Sequence, residues 1–287
     1  MTRDANTYPR SFDVDGPLDV KLEIGSGHVS LTAEDTNEAT MTLRPARTGD
    51  GDALDLIARS TVDLRGTSLY IEVPRTIGFR QQAELVVEAT VPGMSMATVK
   101  AGSAGVDLAG TFGDVSIKTG SGDVHLETGA QAKVGTGSGD VSLGRVDEAW
   151  VKTGSGDIAV EAVTGDVTLS TGSGDVRLTE IDGNASISTA SGNVDVRTSS
   201  GAIGVKTASG DVAVRRAFAG ELEAKTASGR VAVGIPEGTA VLLDCRSVSG
   251  QCRSALTPSE PPAEGDEQRL QVRARTVSGN IDITRSK

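Results

Sequence analysis

The stretch Thr119-Gly-Ser-Gly-Asp-Val124 decides the fold, because it returns at nearly constant intervals along a chain of 287 residues. It recurs from Thr136, from Thr153 with Ile in the last place, and from Thr171. Softer versions with Ala in the second place cover residues 189–194, 207–212 and 226–231. Repetition at a fixed period indicates that one structural unit is stacked many times.

The glycine after the repeated serine serves as the anchor of each unit. The anchors are Gly122, Gly139, Gly156, Gly174, Gly192, Gly210, Gly229, Gly250 and Gly279, and Ala104 holds the same place. Most intervals are 17 to 19 residues, and the last two lengthen to 21 and 29. A weaker glycine often lies nine residues before the anchor, at Gly113, Gly165, Gly183, Gly201 and Gly220. Each unit of about 18 residues therefore divides into two halves, each a short strand and a tight turn.

Apolar residues alternate with polar ones on both sides of each anchor. Around Gly210 they are Ile203, Val205, Val212 and Val214, at positions −7, −5, +2 and +4. Across the ten anchors, every such position holds Ala, Val, Ile, Leu or Cys, except Ser254. Alternation with period two predicts strands that bury one face.

Two topologies fit strands separated by turns: an antiparallel meander and a parallel β-solenoid. The solenoid explains more, because stacked coils place equivalent residues about 4.8 Å apart and favour the same chemistry at each level. A meander gives no reason for Thr to recur at position −3. We therefore predict an all-β, single-stranded parallel β-solenoid (β-helix) with about 18 residues and two short strands in each regular coil.

The chain resembles a bacterial β-strand-repeat family of unknown function whose members are often labelled "putative adhesin". The resemblance rests on Gly25-Ser-Gly-His-Val29, Ser68-Leu-Tyr-Ile-Glu-Val-Pro74, Ala89-Thr-Val-Pro92 and the recurring Gly-Ser-Gly-Asp-Val. It covers nearly the whole chain. It implies a β-helical fold and no established activity.

The repeat divides the chain into two predicted regions. Residues 1–96 lack the regular period but carry strand patterns at 18–24, 29–32, 40–43, 61–64, 69–73 and 84–89. We expect them to form an N-terminal β cap and irregular first coils, with a turn or loop at Gly49-Asp-Gly-Asp52. Residues 97–287 are expected to form the regular solenoid. The acidic, proline-containing sequence near 255–270 predicts an inserted mobile loop.

Composition limits the partners and the location. The formal net charge is −11, which disfavours a nucleic-acid partner. The first ten residues lack an apolar signal segment, and no apolar run approaches the length of a membrane span. We therefore expect a cytoplasmic protein without a membrane span.

The aspartates that follow the anchors form the first candidate site. They are Asp123, Asp140, Asp157, Asp175 and Asp211. Secreted toxins bind Ca²⁺ between coils through a related glycine-rich repeat. In this chain the column also contains Arg230, and its spacing differs. An Asx-type turn is the favoured interpretation, with Lys118, Lys152 and Lys206 offsetting the stacked charges.

The remaining candidates are single side chains. Cys245 and Cys252 occupy core columns, which predicts two buried, inert thiols, with a disulfide as the alternative in an oxidising setting. His28 and His125, the only histidines, are expected on distant coils at the surface. Trp150 is expected to point outward, either as an ordinary exposed residue or as a contact hot spot.

The leading functional hypothesis is a non-catalytic structural or protein-interaction scaffold. The last coil, Thr276 to Thr284, has no obvious cap, so its edge could pair with another protomer. The alternatives are a calcium-binding β-roll-like module and, least favoured, a β-helix enzyme that acts on polysaccharides. We predict no catalytic, cofactor-binding or metal-binding residues and no cofactor.

Overall fold

The computed structural model describes residues 8–74, 83–256 and 269–286. The chain divides into two compact units, residues 1–144 and 145–287. Strands dominate both, as the alternation predicts, and the resulting fold is all-β and solenoid-like.

The first unit contains ten strands and one helix among its described residues. They are β1 (Arg10–Asp13), β2 (Asp19–Ile24), β3 (Gly27–Glu34), β4 (Glu38–Pro45), α1 (Gly51–Arg59), β5 (Thr61–Arg65), β6 (Ser68–Glu72), β7 (Leu85–Pro92), β8 (Met96–Ala101), β9 (Gly105–Thr119) and β10 (Val124–Thr136). The six strands expected before residue 96 are confirmed as β2 to β7, while β1 was not anticipated.

Parallel pairing joins most strands of the first unit into two rows. One row runs β6, β2, β8 and the second parts of β9 and β10; the other runs β7, β3 and the first parts of β9 and β10. Antiparallel strands join the outer members, with β5 on β6, and with β4 on β7 followed by β1 on β4.

Helix α1 lies where a turn or loop was expected. Asp50 caps it by accepting a hydrogen bond from the Ala53 N–H, 3.0 Å away. The helix buries Ala53 and Leu56 and carries Arg59 in its last turn. The capping aspartate followed by spaced apolar residues was the available signal, and the glycine–aspartate pattern hid it.

Strand β11 (Val141–Thr153) crosses the boundary between the units, and thirteen further strands follow. They are β12 (Ile158–Val163), β13 (Val167–Thr171), β14 (Val176–Ile181), β15 (Ala185–Thr189), β16 (Val194–Ser199), β17 (Ile203–Ser209), β18 (Val212–Ala217), β19 (Gly220–Ser228), β20 (Val231–Pro236), β21 (Ala240–Ser247), β22 (Cys252–Ser254), β23 (Arg269–Ser278) and β24 (Ile281–Ser286).

The second unit is built from two rows of parallel strands. The first row is β11, β13, β15, β17, β19, β23 and β21, and the second is β12, β14, β16, β18, β20, β24 and β22. Val176 pairs with Val194, which pairs with Val212, so successive coils are offset by 18 residues. Parallel pairing excludes the antiparallel meander for these strands.

The order of the last coils corrects the expectation that each coil stacks on the one before it. Val231 of β20 pairs with Ile281 of β24, and Ile281 pairs in turn with Cys252 of β22. The coil that ends the chain is therefore inserted between its two predecessors. Among the described residues, the outermost coil is β21–β22, and the C-terminal strand β24 has partners on both sides. The expectation that the last coil, Thr276 to Thr284, presents a free edge is therefore wrong.

The burial of the core side chains agrees with this order of the coils. Every core position predicted around the other nine anchors is buried. Around Gly250, Leu243 and Cys245 are half-buried, whereas Cys252 and Ser254 are exposed. Among the described residues the outermost coil has a neighbouring coil on one side only, and they provide no second layer that would cover its inward side chains.

Candidate functional site at the coil corners

The corner between the two rows is formed by the repeated sequence Thr-Gly-Ser-Gly-Asp-Val, which is the repeated phrase of this chain. In one coil, β13 ends at Thr171, the chain turns over Gly172 to Asp175, and β14 begins at Val176. The strands bury the apolar residues on either side. This leaves the polar groups of the phrase at the turn, where each coil meets the next.

The threonine of the phrase joins two levels of the stack. Thr171 is buried, and its Oγ1 accepts a hydrogen bond from the Gly174 N–H at 3.0 Å. The same hydroxyl donates to the Gly156 carbonyl of the neighbouring coil, also at 3.0 Å. Equivalent bonds from Thr189 and Thr207 to the neighbouring anchors are 3.4 Å long. The recurring threonine therefore satisfies buried backbone groups within and between coils.

The anchor glycine is required by the closeness of the stacked turns. A Cβ atom at Gly174 would lie 1.9 Å from the Gly156 carbonyl oxygen, and one at Gly192 would lie 1.9 Å from the Gly174 oxygen. Real Cβ atoms do not approach oxygen so closely. Only a residue without a side chain lets the corners stack at this distance.

The aspartate of the phrase binds the backbone of the next coil. Asp175 N–H donates to Asp157 Oδ1 at 2.8 Å, and Asn193 N–H donates to Asp175 Oδ1 at 2.9 Å. Asp211 and Arg230 continue the ladder through their own N–H groups, at 3.0 and 2.8 Å. The carboxylates do accept backbone N–H groups as expected, but they do so between coils and not within an Asx turn.

An arginine, and not the expected lysines, reaches the carboxylates of this column. Arg177 contacts Asp157 at 3.3 Å and Asp175 at 3.2 Å. Nearby, a hydrogen bond from Arg215 lowers the pKa of Asp195 below its usual range, against a smaller opposing effect of burial. Lys118, Lys152 and Lys206 point outward as predicted. The cations of this face therefore bridge neighbouring levels of the stack.

The coils also have a second corner, whose contacts with the neighbouring coil are similar but weaker. Asn184 donates from its side-chain Nδ2 to Asp166 Oδ1 at 3.0 Å, and Ala202 N–H donates to Asn184 Oδ1 at 3.3 Å. A Cβ at Gly183 would lie 2.0 Å from the Gly165 oxygen. The weaker glycines of the half-period thus also mark stacked turns.

The cysteines are less buried than predicted. Cys252 is exposed and Cys245 is half-buried, because both belong to the outermost coil. Burial raises the pKa of the Cys245 thiol, and the neighbouring Cys252 adds to this effect. Both are free thiols in the structure. The interpretation as two buried thiols is therefore wrong.

The two histidines lie near one aspartate and not on distant coils. His28 Nε2 is 3.0 Å from Asp107 Oδ2, and His125 stands opposite Asp107 in the β9–β10 pair. The cause is the coil order of the first unit, which places β3 directly beside β9. Sequence spacing gave no sign of this, since 77 residues separate Gly105 from His28 in the chain. Both histidines lie on the surface, as expected.

Trp150 is exposed to 43 %, as predicted, beside a shallow trough on the first row of the second unit. Its pairing partner Thr168 belongs to the floor of the trough, with Ser186 and Gly204 on the next strands. The trough has a volume of about 420 Å³, and Glu223 stands at its far end. Small side chains in the middle of one column create the depression.

Metal sites and membrane spans make demands on structure that the described residues do not meet. Within them, no group of three His, Cys, Asp or Glu side chains is placed to hold a metal ion. Helix α1 has nine residues. Among the described residues, no helix has both the length and the apolar character that crossing a membrane requires.

Comparison with protein families matches residues 18–284 to the family described as Toastrack DUF4097. The chain belongs to the Toastrack family. Toastrack is a family of unknown function, so the resemblance drawn from the repeated motifs is confirmed. Comparison with curated proteins gives no match.

Solved structures similar to this Toastrack chain include three from Parabacteroides and Bacteroides species. A "putative lipid binding protein" from Parabacteroides distasonis is 13% identical, with 99% of this chain and 98% of that chain covered and a TM-score of 0.46. A "putative adhesin" from Bacteroides fragilis is 14% identical, with 96% of each chain covered and a TM-score of 0.40. Another, from Parabacteroides merdae, is 12% identical, with 96% and 95% covered and a TM-score of 0.37.

Proposed function

We propose that this Toastrack chain is a non-catalytic structural and protein-interaction scaffold, which associates with copies of itself through an end of its coil stack. One observation carries the proposal: the repeated polar groups bind the neighbouring coil. The side chains that recur contact the neighbouring coil: the Thr171 hydroxyl and the Asp175 carboxylate form hydrogen bonds with it, and Gly174 allows its close approach. An active site gathers unlike reactive groups around one point, whereas these residues are spread evenly along the stack.

The surface that remains suits a protein partner. In the second unit, the first row presents a polar face with Trp150 beside the trough. Trp is enriched among the residues that dominate protein interfaces. Glu223 forms an ion pair with Lys225, whose hydrogen bond lowers the pKa of the carboxyl and keeps it charged. A carboxylate held in this state is a poor general acid at neutral pH.

Site-specific photocrosslinking in the native cell tests the proposal. A photoreactive residue at Thr168, on the trough floor, is expected to give one discrete protein adduct. The adduct should weaken when Trp150→Ala is added. A photoreactive residue at the exposed position Arg197, on the second row, serves as the matched control.

Two outcomes would contradict the proposal. One is the absence of a protein adduct from positions on both rows. The other is turnover of an acidic polysaccharide by the purified chain that is lost with Glu223→Gln. The second outcome would favour the enzyme alternative.

A further inference from the structure

Strand β21 is the open end of the first row in the second unit. It pairs with β23 on one side, and no described residue pairs with its other side. Leu243 and Cys245 are half-buried, although the residues they pair with, Val272 and Ala274, are fully covered. An unpaired edge with partly covered apolar residues is a template for another strand.

The outward-facing residues of this segment are apolar at both ends, at Leu242 within β21 and at Val248 directly after it. Leu242 is exposed to 67% and Val248 to 81%, which makes them the two most exposed large hydrophobic residues of the described chain. Between them lie Asp244 and Arg246, which contact each other at 3.0 Å. The order along the face is therefore apolar, acidic, basic, apolar.

We propose that β21 pairs with β21 of a second copy, antiparallel and about a two-fold axis at Cys245; this rests on the scaffold function proposed above. In this register Asp244 faces the partner's Arg246, and Leu242 faces the partner's Val248. Cys245 faces the partner's Cys245. A two-fold interface must be self-complementary in this way, and opposite charges or apolar residues in cross-strand pairs stabilise a sheet.

Neighbouring registers lose this complementarity. An axis moved by one residue, to Asp244 or to Arg246, places identical charges opposite each other, which is destabilising. An axis between two residues sets the outward side chains of one copy against the inward side chains of the other. The pairing also occupies the unpaired side of β21 in both copies, so assembly through this edge closes at the dimer and does not extend into a fibre.

Disulfide trapping tests the register. Two facing Cys245 thiols can lose two protons and two electrons to diamide, which forms one disulfide and reduces the azo reagent to its hydrazine. The Cys252→Ser variant, which retains Cys245, is expected to give a covalent dimer on a non-reducing gel. The matched variant Cys245→Ser, which retains the more exposed Cys252, is expected to stay largely uncrosslinked.

Charge reversal tests the same register without covalent chemistry. Light scattering of the reduced wild-type chain is expected to report a dimer. Arg246→Asp should weaken it at least tenfold, because Asp244 would then face a second acid. Adding Asp244→Arg should restore the dimer, since the reversed pair is again complementary. Because Asp244 also contacts Arg246 within one chain, the discriminating sample is a mixture of the single variants Arg246→Asp and Asp244→Arg, in which only pairing between chains sets opposite charges against each other.

The outcomes separate this inference from the scaffold function. A monomer at all concentrations overturns the dimer and the self-association in the proposed function, while a photocrosslinked partner adduct would still support the interaction scaffold. A dimer that is trapped through Cys252, or that Arg246→Asp does not weaken, overturns the register while self-association stands. Loss of the partner adduct in a chain that still dimerises overturns the scaffold function alone.

Discussion

Thr171 performs two tasks that few other side chains could combine. Its hydroxyl accepts from the Gly174 N–H and donates to the Gly156 carbonyl, so it serves as acceptor within its coil and donor to the next. Its branched Cβ suits the strand that ends there. The recurrence of Thr at position −3 follows from this double role, which requires stacked coils.

Replacing Thr171 with Val should destabilise the protein by about 2 kcal/mol, because a buried donor and a buried acceptor lose their partner. The shape and the strand propensity are nearly unchanged. Thr168→Val, on the outward face, is the matched control and should change stability by less than about 0.5 kcal/mol. Urea unfolding measures both. Equal effects of the two changes would contradict the role of the Thr171 hydroxyl in joining two coils.

Replacing Gly174 with Ala should cost about 2 kcal/mol or more, since the new Cβ meets a carbonyl oxygen and the corners must move apart. Gly135→Ala is the control, because a Cβ there has no atom within 4 Å. The control should be neutral or slightly stabilising. If thermal unfolding gave the two variants the same stability, close stacking of the corners would be wrong.

Asp175 separates the stacking and calcium interpretations. Asp175→Asn keeps the oxygen that accepts the Asn193 N–H, so its stability should stay close to that of the wild type. Asp175→Ala should lose about 1 kcal/mol. For each of the three proteins, the melting temperature measured with calcium is expected to equal the melting temperature measured with a chelator. A rise with calcium that Asp175→Asn abolishes would instead establish the β-roll alternative.

At the scale of the element, the strands were predictable and the helix was not. Alternation around the anchors identifies the buried residues, because a strand with one covered face has period two. Helix α1 has only nine residues and buries only Ala53 and Leu56, so its periodicity is short. Its boundary depends on a single cap at Asp50. The role of the aspartates between coils was also missed, since local turn chemistry explains the same residue type.

The capping role of Asp50 gives a prediction for this helix. Asp50→Ala should destabilise the first unit by about 1 kcal/mol, whereas Asp50→Ser should cost less because its hydroxyl can still accept from the Ala53 N–H. Chemical unfolding of the two variants measures the difference. Equal stability of the Ala and Ser variants would mean that the cap contributes nothing.

At the scale of the molecule, the order of the coils could not be predicted from the sequence. The corners of the last three coils share a hydroxyl residue and the anchor glycine, at Thr226 and Gly229, Ser247 and Gly250, and Thr276 and Gly279. The corner motif therefore does not specify which of these coils stacks on which. The insertion of β23–β24 between β20 and β22 is therefore compatible with the repeat but not encoded by it. This order also explains why Cys252 is exposed. The boundary after residue 96 and the cytoplasmic location stay predictions, and residues 257–268 of the predicted loop lie outside the described residues.

Hydrogen exchange of the intact chain tests this order most directly. Slow exchange requires stable hydrogen bonds and cover. Residues 270–286 are expected to exchange as slowly as 220–236, because β23 and β24 have partners on both sides. At concentrations low enough to disfavour self-association, residues 240–254 should exchange faster. Rapid exchange of residues 270–286, with residues 240–254 protected, would contradict the inserted coil.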